Sequence, residues 1–180
     1  MPDATDPLFK AIAFAARAHR HQLRKDGITP YFSHCVRVMT VTSQIFKVTD
    51  HLVLITALLH DTIEDTTTDY DDLVEAFGPQ VAGWVAALTK DMRLPERERE
   101  DVYHATLAKG PWQVTVCKLA DIYDNLNDSY VLTPTKQAHL VKRSVDYLEC
   151  LKPTLPVEAN AAFALTETKL KQVQQDLTKS

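Results

Sequence analysis

The sequence predicts an all-α protein, a bundle of about eight to ten helices. Apolar residues recur at helical spacing through most of the chain, beginning with Leu8, Ile12 and Ala15. No long stretch alternates apolar and polar residues in the way that a half-buried strand does. Only four glycines occur among the 180 residues, so few positions interrupt a helix. These three observations favour helices throughout.

Five helices are predicted in the first half of the chain, at about residues 7–22, 34–47, 51–60, 69–77 and 79–89. A polar loop separates the first two helices, because Gly27 and Pro30 break the pattern over 24–33. Acidic residues in the first turn favour the fourth helix through its dipole, and Gly78 is placed to end it. Pro79 suits the first turn of the fifth helix, where a missing N–H costs little.

The second half continues with a charged helix from about residue 95, a helix that contains Asp121, a helix over about 133–151 and a last helix over about 157–177. Gly110 and Pro111 break the chain before the Asp121 helix. Thr133 and Pro134 predict an N-cap and a first helical position.

Length and composition fit one compact domain over residues 1–180, with a core of about 8–151 followed by the helix of about 157–177. Hydrophobic residues make up 45% and charged residues 24%, the proportions of a globule that can bury a full core. No apolar stretch approaches the roughly 18 residues that cross a bilayer. Because the N-terminus also lacks the basic and apolar regions of a signal peptide, we expect a cytoplasmic protein without a membrane partner.

The cysteines indicate the redox compartment, and the net charge limits the classes of partner. Cys35, Cys117 and Cys150 are too few and odd in number for a disulfide framework, and their apolar contexts predict buried thiols in a reducing compartment. A net charge of −4 argues against a broad nucleic-acid surface. A small anionic substrate would need only a local basic patch. The sequence is also compatible with a homo-oligomer.

The run of residues 58–65 carries the strongest chemical signal. His60 and Asp61 are adjacent, and Glu64 and Asp65 follow four residues after each of them. One more helical turn would therefore stack both pairs on one side of a helix. Unpaired carboxylates are costly in a core, whereas a divalent metal would stabilise them and supply a reaction. By themselves, Glu64 and Asp65 could also form an acidic loop.

A metal at this doublet needs further ligands, because one dipeptide does not fill a coordination shell. His34 opens an apolar-periodic segment upstream, and Asp121 lies between apolar neighbours downstream, which favours an inward orientation. Taken singly, His34 could be a capping or core histidine, and Asp121 a surface carboxylate. With His60 and Asp61 they form a candidate site of two imidazoles and two carboxylates. This set suits Mn²⁺, and Fe²⁺ or Zn²⁺ could also bind.

The order of these residues resembles that of the HD phosphohydrolases, which are named for a doublet like that of His60 and Asp61. A closer resemblance is to the alarmone hydrolases of the RelA/SpoT homologue family. Residues 24–34 are similar to the opening motif of this family, and residues 57–66 to its central motif. Shorter motifs follow in the family's order, at 77–78, 89–90 and 118–125. The likeness extends over about residues 8–147, most of the chain.

The resemblance implies an HD-domain helical bundle and a definite reaction. Members of this family hydrolyse the 3′-pyrophosphate of guanosine tetra- or pentaphosphate and leave GDP or GTP, and this chain is similar to the small, hydrolase-only members. The resemblance also favours Mn²⁺ as the cofactor. A bound metal would lower the pKa of a water molecule, and Glu64 and Asp65 would orient that water and shuttle its proton.

Four residues are expected to bind the substrate. Arg24 and Lys25 are placed to clamp a pyrophosphate, which Arg holds bidentately, although alone they would form a solvated loop. The resemblance implies that Asn125 lies beside the nucleotide and Tyr147 near the substrate. The remaining histidines are expected to be structural or on the surface, namely His19, His21, His51, His104 and His139.

Two departures from the family pattern bear on the substrate. The first loop has an extra residue between Gly27 and Pro30, relative to the shortest family form. Ile122 and Asp124 stand where basic or aromatic residues are common. We expect Asp124 either to bring negative charge near the substrate or to point away from it on the helix surface.

Other functions fit the same residues. The metal site could serve another nucleotide, such as an adenosine alarmone or the 2′-phosphate of NADPH. The chain could also be a catalytically silent module that senses a nucleotide. The intact pair of Glu64 and Asp65 argues against that alternative, since a sensor needs no proton shuttle. A purely structural protein would not explain metal-ligand types at four separated positions.

Overall fold

Helices account for the regular structure of the chain, as predicted. The computed structural model describes residues 6–178, and within this range no strand forms. Ten α-helical segments lie in the described range: α1 (Pro7–Ala18), α2 (Phe32–Thr40), α3 (His51–Leu59), α4 (Thr62–Asp65), α5 (Tyr70–Phe77), α6 (Pro79–Leu88), α7 (Glu96–Lys109), α8 (Trp112–Asn127), α9 (Pro134–Leu151) and α10 (Asn160–Leu177). Their number agrees with the prediction of about eight to ten helices.

Several helices begin and end where the local chemistry favours it. The Asp6 carboxylate accepts a backbone N–H at the start of α1, and a capping box of Asp69 and Asp72 starts α5. Gly78 ends α5 with a φ of 84°, a conformation that residues with a Cβ rarely adopt. α6 follows directly, with Pro79 in its first turn. The boundary predicted between these two helices is confirmed.

α1 is shorter than predicted and gives way to an ordered loop. The helix stops at Ala18, and the Gln22 carbonyl accepts the N–H of Tyr31 at 2.8 Å, a contact across the loop that a continued helix would not make. Gly27, with a φ of 76°, turns the chain between Gln22 and Tyr31. The loop that carries Arg24 is therefore fixed at its base.

α2 begins two residues before the predicted start and ends in a wider turn. The helix starts at Phe32, so that His34 lies within its first turn. It continues as a π turn over Val41–Ile45, in which the Phe46 N–H reaches back to the first carbonyl of that turn at 2.9 Å. Lys47, with a φ of 62°, ends the segment.

The last two helices follow the prediction with small differences. α9 has Pro134 in its first turn, as predicted, although the side chain of Thr133 makes no capping hydrogen bond. α10 begins at Asn160, whereas the sequence predicted a start near residue 157. A 3₁₀ turn over Val157–Ala159 occupies the intervening residues.

Two helices, α3 and α8, run through the interior. Every residue from Val53 to Leu59 on α3 is buried, and ten of the sixteen residues of α8 are buried as well. One hydrophobic cluster joins α3 to α1, α5 and α6, and the other surrounds α8 and includes residues of α2, α3, α7, α9 and α10. Because both clusters pack on α3, its C-terminal end is a fixed platform for side chains.

Two further expectations can be compared with the structure. The three cysteines are free thiols, as predicted, with Cys35 and Cys117 buried and Cys150 half-buried. Among the helices described, none is long and apolar enough to cross a membrane.

Gly78→Ala should destabilise the protein by about 1–3 kcal/mol, because an Ala with this positive φ is strained whatever space surrounds it. The matched control is Gly83→Ala, at an exposed position within α6. A Cβ at Gly83 would also meet open space, but the backbone there is helical, so this change should stabilise by about 0.5–1 kcal/mol. Urea unfolding measures both free energies. A Gly78→Ala protein as stable as its Gly83→Ala counterpart would contradict the argument.

Candidate active site

Two helices and one turn converge on a point in the interior, where the four predicted metal-binding residues meet. His34 comes from the first turn of α2, His60 and Asp61 from the turn after α3, and Asp121 from the middle of α8. The His34 Nε2 lies 3.3 Å from Asp121 Oδ1 and 3.5 Å from Asp61 Oδ2. The His60 Nε2 lies 2.9 Å from Asp61 Oδ2 and 3.8 Å from Asp121 Oδ1. We call these residues the four-residue centre.

The helix predicted over about 51–60 ends close to that bound, and it lacks the further turn that would have stacked Glu64 and Asp65 on His60 and Asp61. α3 ends at Leu59, and Asp61, with a φ of −101° and a ψ of 0°, lies outside the helical region. α4 is a separate single turn that contains Glu64 and Asp65. The two pairs therefore do not stack on one helix face. Both acids of α4 nevertheless line the same cavity as His60.

Each imidazole of the four-residue centre is oriented by an acceptor on its far side. The His60 Nδ1–H donates to the Ala57 carbonyl at 2.9 Å, which leaves the Nε2 lone pair facing the centre. This Nε2 is buried and has no hydrogen-bond partner among the described residues, since its close approach to Asp61 lacks the geometry of a hydrogen bond. The His34 Nδ1–H donates to Asp124 Oδ2 at 2.7 Å, which leaves its Nε2 facing the same point.

This arrangement fits a divalent metal ion. Imidazole nitrogens and carboxylate oxygens that face one another as acceptors repel, unless a proton or a cation lies between them. One ligand atom each from His34, His60 and Asp121 lies within 4.8 Å of the others, and Asp61 adds a carboxylate beside them. Nitrogen and oxygen ligands of these types suit Mn²⁺, Fe²⁺ or Zn²⁺. The four-residue centre could therefore hold one metal ion.

Burial and charge act against each other at the four-residue centre. Burial lowers the pKa of His34, but three surrounding carboxylates, of which Asp121 contributes most, outweigh this and raise the pKa to about 10. Burial disfavours the carboxylate form of Asp61, yet the two neighbouring imidazoles hold its pKa well below the usual range. The Lys118 ammonium and the imidazoles do the same for the pKa of Asp121. An entering cation therefore meets ionised carboxylates and has to displace a proton from an imidazole.

Hydrogen bonds fix the orientation of both carboxylates. The Tyr31 hydroxyl donates to Asp61 Oδ2 at 2.6 Å. The Asn125 amide donates to Asp121 Oδ1 at 2.5 Å. His19 is buried and stacks on the Tyr31 ring with their centroids 4.9 Å apart, in agreement with the structural role predicted for it.

A cavity of about 310 Å³ opens beside the four-residue centre. Its lining includes five cationic side chains, those of Arg24, Lys25, Lys90, Lys118 and Arg143. Four acidic side chains line the same cavity, so the cations outnumber the acids by one, and two of the cations, Lys25 and Arg143, are exposed where an anionic substrate could reach them.

Two of the lysines in this cavity are held against aromatic rings and acids. The Lys118 Nζ donates to Asp121 Oδ2 at 2.9 Å and lies 4.4 Å from the centroid of the Tyr147 ring. Burial alone would lower the pKa of Lys118, but the Asp121 charge raises it well above its usual value, so this lysine stays a cation. The Lys90 Nζ donates to Glu100 at 2.7 Å.

The two acids of α4 have raised pKa values. Burial raises the pKa of Glu64, and the Asp61 charge raises it further, although the Lys90 N–H that donates to Glu64 Oε2 at 2.8 Å acts in the opposite direction. Partial burial and the Asp61 charge also raise the pKa of Asp65. Acids whose pKa lies closer to neutrality are suited to accept and release a proton.

The residues predicted to bind the substrate all line the cavity, but three of them are already engaged by other groups. The Arg24 guanidinium is buried and donates to Asp128 at 3.1 Å and to Asn125 Oδ1 at 3.2 Å. The Tyr147 hydroxyl donates to Glu100 at 3.2 Å. Arg24 therefore braces the loop against α8, whereas the sequence suggested an outstretched clamp. Lys25, the next residue, is exposed at the cavity wall.

Asp124 neither approaches the substrate cavity nor points outward from its helix, so both predictions for this residue are wrong. It is 1% exposed and faces the interior between α8 and α2. Its Oδ2 accepts from His34, and its Oδ1 accepts from the Arg37 Nε at 2.7 Å.

Sequence reasoning missed four residues of this site: Lys90, Lys118, Asp124 and Arg143. For two of them a signal was present. Lys118 lies three residues before Asp121, and Arg143 lies four residues before Tyr147, spacings that put each pair on one helix face. Lys90 lies in the segment between α6 and α7, and the contact that draws it to the cavity is with Glu100 on α7.

Comparison with known proteins identifies the family. The family model described as HD domain matches residues 11–146. The chain is 42% identical over 127 residues to guanosine-3′,5′-bis(diphosphate) 3′-pyrophosphohydrolase MESH1 of Drosophila melanogaster, a match that covers 70% of this chain and 71% of that protein. It is 40% identical over 149 residues to the Danio rerio protein of the same name, with 81% of each chain covered. The chain therefore belongs to the HD domain family.

A solved structure agrees at the level of the fold. It is described as a metazoan ortholog of SpoT that hydrolyses ppGpp and plays a role in starvation responses. It superposes with a TM-score of 0.81 at 31% identity and covers 98% of both chains. The relatives of this chain within the HD domain family thus include proteins named as 3′-pyrophosphohydrolases. The resemblance found in the sequence is confirmed.

His60→Ala should abolish metal binding, because it removes a buried nitrogen that no hydrogen bond occupies. Metal content after dialysis against Mn²⁺ measures this directly. Thermal unfolding gives a second readout, since an ion that binds only the native state raises the Tm of the parent and should not raise that of the variant. Asp61→Ala should behave in the same way.

The matched control for this experiment is His51→Ala, an exposed histidine at the start of α3. It should keep the metal content and the Tm shift of the parent. One Mn²⁺ per chain retained by the His60→Ala protein would contradict the assignment of the centre.

Proposed function

We propose that this chain is a metal-dependent hydrolase that removes the 3′-pyrophosphate from guanosine tetra- or pentaphosphate and leaves GDP or GTP, within one HD-type domain. The observation that carries the proposal is the position of the four-residue centre at the wall of a cavity lined by lysine and arginine side chains. Relatives at about 40% identity bear the name of that activity, which supports the choice of substrate.

The proposed ligands of the metal are His34, His60, Asp61 and Asp121. We take Mn²⁺ as the ion, with Fe²⁺ or Zn²⁺ as alternatives, because two imidazoles and two carboxylates suit these metals. A divalent ion supplies Lewis-acid activation of a water molecule and of a phosphoryl oxygen. The ring contacts with Ala57 and Asp124 keep both Nε2 atoms available to it.

Glu64 and Asp65 are the proposed proton carriers. The reaction breaks the bond between the ribose 3′ oxygen and phosphorus, so the attacking water has to lose a proton and the leaving oxygen has to gain one. Both acids line the cavity, and burial together with the Asp61 charge raises their pKa values. The hydrogen bond from the Lys90 N–H fixes Glu64 in place for this transfer.

The cations of the cavity are the proposed partners of the phosphoryl groups. Phosphoryl transfer depends mainly on positioning and on neutralising charge, which fixed ammonium and guanidinium groups provide. Lys118 is held by Asp121 and Tyr147 beside the four-residue centre, and Lys25 and Arg143 are exposed at the cavity wall. The expected binding mode therefore has the 3′-pyrophosphate between the centre and these exposed cations.

A panel of nucleotides with Mn²⁺ tests the reaction. The purified protein should turn over guanosine tetraphosphate faster than the adenosine analogue or NADPH, and the products should be GDP and pyrophosphate. Release of inorganic phosphate from NADPH as the fastest reaction would instead favour the 2′-phosphatase activity. Tight binding of guanosine tetraphosphate without turnover would favour a nucleotide sensor.

Glu64→Gln and Asp65→Asn should lower kcat by about a hundredfold or more, because each change keeps the size of the side chain and removes its proton-accepting charge. Metal content should stay at the level of the parent in both. The control is Glu75→Gln, the same substitution at an exposed position of α5, which should leave kcat unchanged. A parallel loss of metal and activity would assign these acids to the metal itself.

Lys25→Ala should raise KM for guanosine tetraphosphate by about tenfold or more, since a hydrogen bond between charged groups contributes roughly 1.5–3 kcal/mol. It should matter less for guanosine 5′-diphosphate 3′-monophosphate, which lacks the second 3′ phosphoryl group. Arg24 is unsuitable for this test, because its guanidinium also holds Asp128 and Asn125, so its removal would loosen the loop as well. Lys109→Ala, at an exposed position at the end of α7, is the matched control. Equal losses on both substrates would rule out a clamp for the second phosphoryl group.

A further inference from the structure

A buried carboxylate next to the metal centre is not itself one of its proposed ligands. Asp124 is 1% exposed, and its Oδ2 lies 2.7 Å from the Nδ1 of His34, on the side of the ring opposite the four-residue centre. We infer that Asp124 is a positioning residue for the metal: it holds the His34 ring and keeps the Nε2 lone pair directed at the ion. This inference rests on the proposed metal centre and does not depend on which nucleotide is hydrolysed.

The proton at His34 follows from the chemistry of its partner. A carboxylate is an acceptor only, so the shared proton belongs to Nδ1, and a second proton on the ring is on Nε2, where an entering metal ion would displace it. His60 achieves the same arrangement with a neutral acceptor, the Ala57 carbonyl. The two imidazoles therefore differ in one respect. The charged partner of His34 makes its Nε2 the stronger electron donor of the two rings.

Asp124 is itself held rigidly. The Arg37 Nε donates to its Oδ1 at 2.7 Å, and the Arg37 Nη2 donates to its Oδ2 at 3.0 Å, a bidentate contact that fixes the plane of the carboxylate. His34 and Arg37 lie three residues apart on α2, so both side chains are on the face of α2 that packs against α8. Arg37 thus fixes the orientation of the carboxylate independently of its contact with His34.

The same network continues to the wall of the substrate cavity. The Arg37 Nη2 also donates to Asp128 at 3.1 Å, and Asp128 accepts from Arg24 at 3.1 Å. Arg24 in turn lines the cavity. One chain of charged hydrogen bonds therefore extends from His34 to the 24–30 loop.

A purely structural ion pair would not require the contact with His34. Asp124 and Arg37 already satisfy each other through two hydrogen bonds, and burying such a pair brings little net stability. The third contact is the one that acts on the metal centre. Loss of this contact should therefore change metal affinity more than it changes the binding of the nucleotide.

Asp124→Asn is the decisive variant, because it keeps the shape of the side chain and removes its charge. Its Mn²⁺ affinity, measured by calorimetry with the metal alone, should fall by about 10- to 100-fold. Turnover should recover as Mn²⁺ is raised, and KM for the nucleotide at saturating Mn²⁺ should stay near that of the parent. The control is Asp128→Asn, the same change four residues later and just beyond the end of α8, at a carboxylate that contacts Arg37 and Arg24. Its Mn²⁺ affinity should change by less than about threefold.

A second variant separates the inference from a failure to fold. In Asp124→Asn, Arg37 loses the charge of its partner, and the protein could unfold for that reason. The double change Asp124→Asn/Arg37→Gln removes both charges and should show the same loss of Mn²⁺ affinity. The His60→Ala protein serves as the reference for a lost metal centre.

Two results would overturn the inference, and they differ in what they leave standing. If the folded Asp124 variants bind Mn²⁺ as tightly as the parent while His60→Ala does not, Asp124 has no positioning role and the metal centre stands. If His60→Ala also retains Mn²⁺, the metal is held elsewhere and the inference fails together with the proposed centre.

Discussion

The constraint on which the rest of the structure depends is a group of acceptors that face one another in the interior. The Nε2 atoms of His34 and His60 and the carboxylates of Asp61 and Asp121 approach to within 4 Å. Such groups repel unless a positive charge lies between them, and burial strengthens the repulsion. A proton on an imidazole supplies that charge, or a metal ion would, and the backbone has to hold the groups at this distance. α3 is buried along almost its whole length and α8 along most of its own, so neither can move apart without opening a hydrophobic cluster.

α8 serves this centre twice, because one of its faces carries two carboxylates, each of which contacts a different nitrogen of the His34 ring. Asp121 faces the cavity and the Nε2 atoms of His34 and His60, and Asp124 faces the far side of His34. The spacing of three residues is what lets one helix supply both a proposed ligand and the residue that orients another ligand. Each carboxylate has its own cation, Lys118 for Asp121 and Arg37 for Asp124. The charges are therefore balanced in pairs even though the protein as a whole is acidic.

The residues of the four-residue centre could be predicted because they are polar residues among apolar sequence neighbours. His60 and Asp61 follow an apolar helix, and Asp121 lies between apolar residues. The boundary at Gly78 could be predicted for a similar reason, since glycine and proline act on the backbone locally. The role of Asp124 could not, because its partner lies 90 residues away and only tertiary packing brings the two together. The same limit applies to α4, the separate single turn that contains Glu64 and Asp65 and that the sequence did not predict.

The partners of Asp124 change the expected effect of this departure from the family pattern. A free carboxylate in the cavity would repel a polyphosphate, but the charge of Asp124 is matched by Arg37 and His34 and lies outside the cavity. We therefore infer that it acts on the metal ion and not on the nucleotide. Ile122, the other departure, does line the cavity and offers only apolar contact. Both ends of the Asn125 amide are already bonded within the protein. The exposed cations are consequently the groups best placed to distinguish substrates, and they respond to the number and position of phosphoryl groups more than to the base.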